Sequence, residues 1–172
     1  MHCWQDLNKD AASGVDGLTA AQYAADLDGN ITDLAERVKA GRYRAKLVRR
    51  VYIPKENGKE RPLGLPALED KLVQLAVAKL LGAIYEEDFL DCSHGYRPGR
   101  GAKDTVIELT FELMYGRYGY LVEADIRGFF EHMDHGWLLE MLSQRIDDRA
   151  FLNLMRKWLK AGILDTDGQV LH

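Results

Sequence analysis

Apolar positions along this chain follow two rhythms: runs at i, i+3 and i+4 that predict helices, and short β-branched or aromatic runs that predict strands. After a turn-rich opening to Gly17, Thr19 is placed to cap a helix through about Leu27, Asp28-Gly29-Asn30 to break it, and Thr32 to cap a second helix ending at Gly41. Residues 44–54, RAKLVRRVYIP, mix Val, Ile and Tyr with Arg and Lys, which suits an exposed strand better than a helix. Asn57-Gly58 follows as a tight-turn signal, because both central residues of a type I′ turn need positive φ. The returning RPLGLP carries two prolines and is expected at a sheet edge. Together these predict a basic β-hairpin.

Leu68 opens a helix whose apolar face is expected from Leu72, Val73, Leu75, Ala76 and Leu80, with Lys79 on its rim. The Gly-rich residues 91–101, DCSHGYRPGRG, predict a loop, and a helix is expected from about Ala102 to Tyr115, closed by Gly116. Residues 118–124, YGYLVEA, read as a buried strand that delivers Asp125 at its tip. A helix from His135 to about Arg145, capped by Asp134, and another capped by Asp147 follow. The latter is expected to bury Phe151, Leu154, Met155, Trp158 and Leu159 and to stop at Gly162. The class is α+β, helix-rich, with a hairpin and at least one central strand.

A length of 172 residues, 47% hydrophobic, suits one compact domain or two small ones. The net charge of −4 hides a segregation: residues 37–61 hold ten basic and two acidic side chains, whereas 1–36 and 62–172 each sum to −6. Cys3 and Cys92 are too few for a disulfide framework or a four-ligand zinc site, so a reducing, cytoplasmic setting is expected. No apolar run approaches a membrane span, and no signal-peptide pattern opens the chain. Internal repeats, a Walker-type P-loop and a G-x-G-x-x-G loop are absent from the sequence.

Asp125, at the end of an expected strand and before a Gly-containing turn, has the placement of a metal ligand on a rigid element; a turn cap or a pair with Arg127 fits the local sequence as well. Lys55, Lys59 and Arg61 flank the hairpin turn and can clamp a polyphosphate, or simply solvate a sheet edge. Arg97 and Arg100 offer phosphate contact or turn chemistry. His94, His132 and His135 lack zinc-site spacing and read as structural.

Five blocks occur in one order: SGVDGLTAAQY, GRYRAKLVRRVYIPKENGKERPLGLPALEDKLVQ, FLDCSHGYRPGRGAKDTV, VEADIRGFFEHMDHGWLL and RKWLKAG. That order resembles the reverse transcriptases of bacterial group II introns, which also act as maturases. The resemblance implies a right-hand polymerase: residues 1–117 as fingers with an N-terminal extension, and 118–172 as part of the palm. It further implies that Asp125 is the first catalytic aspartate and binds Mg²⁺ with the Ile126 carbonyl. A primer 3′-hydroxyl would then attack the α-phosphate of a dNTP on an RNA template. Lys55, Lys59 and Arg61 fall where the family holds the triphosphate. Phe130 falls at the ring that excludes a 2′-hydroxyl, with Phe129 left to the core, and Arg97 and Arg100 lie in a loop near template and nucleotide.

The family's PQGG block and its YADD turn are missing from these residues, and Asp147-Asp148 heads a helix rather than a strand turn. Gly101 and Lys103 depart from the Ser and His often found there, and Glu123 is not assigned as a ligand. The chain is therefore expected to be a piece of a longer polymerase, without the remaining palm, thumb and maturase domain, inactive by itself and able to self-associate. Expected partners are RNA template, DNA primer, dNTP and group II intron RNA, with no membrane. An RNA-binding maturase-like splicing module, or a related enzyme of a diversity-generating or defence system, is the alternative.

Overall fold

A computed structural model describes residues 1–54, 58–130 and 132–171. In chain order the elements are α1 (His2–Asp6), α2 (Ala20–Ala24), α3 (Leu27–Lys39), β1 (Val48–Pro54), β2 (Glu60–Leu65), α4 (Leu68–Tyr85), α5 (Ala102–Tyr115), α6 (His135–Ser143), α7 (Arg149–Leu159), β3 (Ile163–Leu164) and β4 (Val170–Leu171). This is the mixed α and β class the sequence predicts. The chain divides into two compact units, Met1–Val77 with His135–His172 and Ala78–Asp134. That division differs from the boundary expected after residue 117, which is drawn on function.

In the first unit the hairpin forms as expected. β1 and β2 pair antiparallel from Arg49↔Leu65 to Pro54↔Glu60. The sheet order β2-β1-β3-β4 leaves the proline-bearing β2 at an edge, where a missing N–H costs no ladder bond. Gly58 has φ +73°, a left-handed conformation that a tight turn needs and glycine adopts without strain; Lys55, Glu56 and Asn57 lie outside the described residues. β3 pairs parallel with β1 and antiparallel with β4. These two strands escaped the periodicity analysis because each spans only two residues, although Asp167-Gly168 marks their turn and Gly168 has φ +83°.

Trp4, Tyr23, Leu34, Tyr43, Leu68, Leu72 and Val73 form the core, with Leu154 and Trp158 of α7 packed against it. On α4 the buried apolar positions are Leu68, Leu72, Val73 and Val77, while Leu80 is exposed, contrary to expectation. One polar network crosses this core. Buried Asp70 accepts from the Tyr43 hydroxyl and from the Lys46 N–H at 3.0 Å, and Trp158 Nε1–H donates to the Tyr43 oxygen at 2.9 Å. The N-terminal block closes onto α4: Lys71 donates to the Ala12 carbonyl at 2.7 Å. A Cβ on Gly14 would stand 2.5 Å from the backbone of Ala67, so only glycine permits that approach.

Helix ends differ from the sequence expectation in two places. Asp28-Gly29-Asn30 begins a helix instead of breaking one: Asp26, not Thr32, caps α3 by accepting from the Gly29 N–H at 3.3 Å. Gly29 has no side chain to crowd that carboxylate, since a Cβ would stand 2.4 Å from it. Likewise Asp148, not Asp147, caps α7, accepting from Ala150 and Phe151. The expected stripe on α7 is only half-buried. Thr19 does cap α2, in a reciprocal capping box with Gln22.

In the second unit α5 has the expected bounds, and the Gly116 N–H closes it on the Glu112 carbonyl at 2.9 Å. None of its residues is buried. The expected buried strand at 118–124 is absent: these residues are exposed and unpaired. Apolar composition makes a segment able to join a sheet, but a strand exists only when a second strand takes up its N–H and C=O groups, and none does so here among the described residues.

Candidate nucleic-acid interface

The basic segment is built from the end of α3, the chain leading into β1, and the hairpin. Several of its cations are held in ion pairs. Arg37 bonds Asp33 at 2.7 Å and Glu69 at 2.6 Å, Lys46 reaches Asp16 at 2.9 Å, and Arg50 lies 3.6 Å from Asp165. Burial works against the Asp16 carboxylate, yet the Lys46 ammonium and the Leu18 N–H leave its pKa below the ordinary range. Asp165, which sequence reasoning missed, is held below its ordinary range by the Thr166 N–H and then by Tyr52 and Arg50. These contacts engage the three cations with carboxylates of the same unit. Arg42, Arg44 and Arg61 are exposed and make no ion pair with the described residues. Lys59 is exposed just ahead of β2, and Lys55 lies outside the described residues. Arg49 has a buried Nε without a hydrogen-bond partner, on a strand that also exposes Tyr52 and Ile53.

In the second unit, loop 91–101 is organised by arginine. Arg97 donates from Nε and Nη2 to one Glu86 oxygen at 3.0 and 2.6 Å, and from Nη1 to the Leu90 and Ser93 carbonyls at 2.8 and 2.9 Å. Its guanidinium also covers the Phe89 ring at 5.1 Å. Four of the five N–H groups of an arginine are thereby committed inside the loop. The side chain is only 6% exposed, so Arg97 shapes the loop and is not a free phosphate ligand. The Arg97 guanidinium holds the Glu86 carboxyl below its ordinary range. Arg100 bonds the Asp91 carbonyl and, at 3.2 Å, its carboxylate, while remaining partly accessible. His94 is tied to Glu108 at 2.6 Å.

Asp125 is exposed at the end of the unpaired segment, followed by Ile126, 67% exposed, and a turn over 127–130 in which Gly128 has φ +62°. Phe130 is 78% exposed and meets Phe129 edge-on at 5.3 Å. Phe129 is itself 47% exposed, so it is not the core residue expected. No three His, Cys, Asp or Glu side chains gather among the described residues. Asp125 offers one carboxylate, and a pair of divalent ions needs more ligands than that donor set supplies. The residues present do not by themselves fit the two-ion site.

Residues 53–170, from β1 to β4, match the family described as reverse transcriptase (RNA-dependent DNA polymerase). The chain belongs to the reverse transcriptase family. Among its relatives, Protein YkfC of Escherichia coli K12 is 36% identical over 155 residues, 88% of this chain. The group II intron-encoded protein LtrA of Lactococcus lactis is 36% identical over 163 residues, 94% of this chain. A nuclear intron maturase of Arabidopsis thaliana is 30% identical over 95 residues, 55% of this chain and 13% of its own length. The resemblance to group II intron proteins read from the five blocks is thus upheld. This reverse transcriptase chain spans 41% of YkfC and 27% of LtrA. No helix among the described residues is long and apolar enough to cross a membrane.

Proposed function

We propose that these residues are the fingers (1–117) and the first part of the palm (118–172) of an RNA-directed DNA polymerase of the group II intron class, acting in the cytoplasm. The observation that carries this reading is the family match running from the basic hairpin through Asp125. Template RNA and DNA primer lie against exposed Arg42, Arg44 and Arg61, which make no ion pair with the described residues. Lys55, Lys59 and Arg61 receive the triphosphate of the dNTP, as point charges and a planar fork suit phosphate. Arg100 contacts nucleic acid, and Phe130 sets its ring against the sugar and rejects a 2′-hydroxyl by steric overlap. Asp125 and the Ile126 carbonyl contribute one set of ligands toward Mg²⁺, and a two-ion site needs further carboxylates.

Binding of group II intron RNA is the second reading, favoured by the relative named an intron maturase, and the same cations serve it. In the longer polymerase, Asp125→Ala is expected to abolish RNA-templated primer extension and leave RNA affinity within about twofold, because a single exposed carboxylate makes no phosphate contact. Undiminished extension by that variant, or robust extension by the 172 residues alone, overturns the assignment.

A further inference from the structure

Tyr96 is the most exposed large apolar or aromatic side chain among the described residues, at 106% of its reference area. It is also the one non-glycine residue with positive φ (+58°) among the described residues. Each fact taken singly is ordinary. Their combination is not, because left-handed backbone disfavours a bulky β-carbon, and the usual return for keeping a large ring at a strained position is its burial. Here the ring is buried against nothing.

The loop that carries it is not loose. Arg97, the next residue, is bonded to Glu86 and to two loop carbonyls, and Arg100 ties the far side to Asp91. Gly95 precedes it, so glycine was available at a neighbouring position and the left-handed one holds tyrosine. The anchored loop therefore fixes where the ring leaves the backbone, and the ring itself stands in solvent. Partly accessible Arg100 and exposed Lys103 stand close by in sequence. An exposed aromatic on an anchored loop that also carries cations suits stacking on an unpaired base, since every base has a π-face and its phosphates are anionic.

We infer that Tyr96 is a stacking platform for an unpaired nucleobase of single-stranded RNA, with Arg97 as the positioning residue that presents it. This rests on the nucleic-acid-binding reading above and deepens it by naming a contact to a base rather than to phosphate. The test uses the full chain and two probes, an oligouridylate and an abasic oligomer of equal length, with affinity measured by fluorescence anisotropy across a salt series.

Tyr96→Phe should bind oligouridylate as the unsubstituted chain does. Tyr96→Gly relieves the backbone strain, so it should melt no lower, yet bind oligouridylate about tenfold more weakly. Its salt dependence should be unchanged, because stacking releases no counterions. On the abasic oligomer the two chains should bind alike. Equal oligouridylate affinity for the Gly variant and the unsubstituted chain, or an equal loss on both oligomers, overturns the platform while leaving the basic surface in place. An unsubstituted chain that binds neither oligomer overturns the nucleic-acid reading itself.

Discussion

In the first unit, Trp4, Tyr23, Leu34, Tyr43, Leu68 and Leu72 are withdrawn from water. In Ala78–Asp134 the one buried residue among those described is Arg97. The first unit draws on non-directional burial of apolar area, which adds up over many side chains. The second draws on a planar cation whose hydrogen bonds specify a loop geometry and bury little else, while α5 leaves Val106, Ile107 and Phe111 in contact with solvent. An apolar core sets global stability; a charged anchor sets a local shape. Residues proposed to contact nucleic acid lie on surfaces of both units, in the irregular chain before β1 in the first and in loop 91–101 and the unpaired segment in the second.

The difference can be broken first at the core. Leu72→Ala should cost about 2–5 kcal/mol of unfolding free energy, whereas Phe111→Ala, 60% exposed, should stay within about 0.5 kcal/mol. Denaturant titration reads both, and equal costs would erase the contrast. Next, Arg97→Lys loses the fork that spans Glu86, Leu90 and Ser93. Limited proteolysis within 91–101 should quicken roughly tenfold, the effect of losing one charge-assisted bond, with the denaturant midpoint of the first unit unmoved.

A smaller effect separates the units by pH. The Arg97 guanidinium depresses the Glu86 pKa below its ordinary value of 4.5, so this carboxylate's contribution is fully present above that value and fades as pH falls through the depressed one. Burial raises the Asp70 pKa above its ordinary 3.8 despite the bonds from Tyr43 and Lys46. Between 3.8 and that raised value the folded state holds more proton than the unfolded one, so this group's contribution falls as pH rises. Hydrogen exchange from acid to neutral pH should show loop 91–101 tightening with pH in the unsubstituted chain but not in Glu86→Gln. Asp70→Asn should remove the opposite trend from the core. Trends of one sign in both units would contradict the comparison.

Local rules that complete themselves within a few residues were legible in the sequence. The hairpin, the cap at Thr19 and the bounds of α5 belong to that class. What was not legible depended on partners distant in the chain. The run 118–124 has strand composition, but pairing is a property of two segments. The sequence left Arg97 between phosphate contact and turn chemistry, because it shows the charge and not the Glu86 carboxylate and loop carbonyls that take up its donors. In the sequence Lys46 and Arg50 figure only as part of the positive charge of 37–61, because their partners Asp16 and Asp165 lie 30 and 115 positions away. Asp26 and Asp148 displaced the expected caps because neighbouring polar residues compete for one helix end, and backbone geometry chooses between them.

The central claim is that Arg42, Arg44 and Arg61, exposed and without an ion pair among the described residues, meet RNA. The most direct measurement is the salt dependence of single-stranded RNA affinity for the chain and for its Arg42→Glu, Arg44→Glu, Arg61→Glu variant. Three lost phosphate contacts at about 0.7 each should make the log–log slope shallower by about two. An unchanged slope would contradict the account.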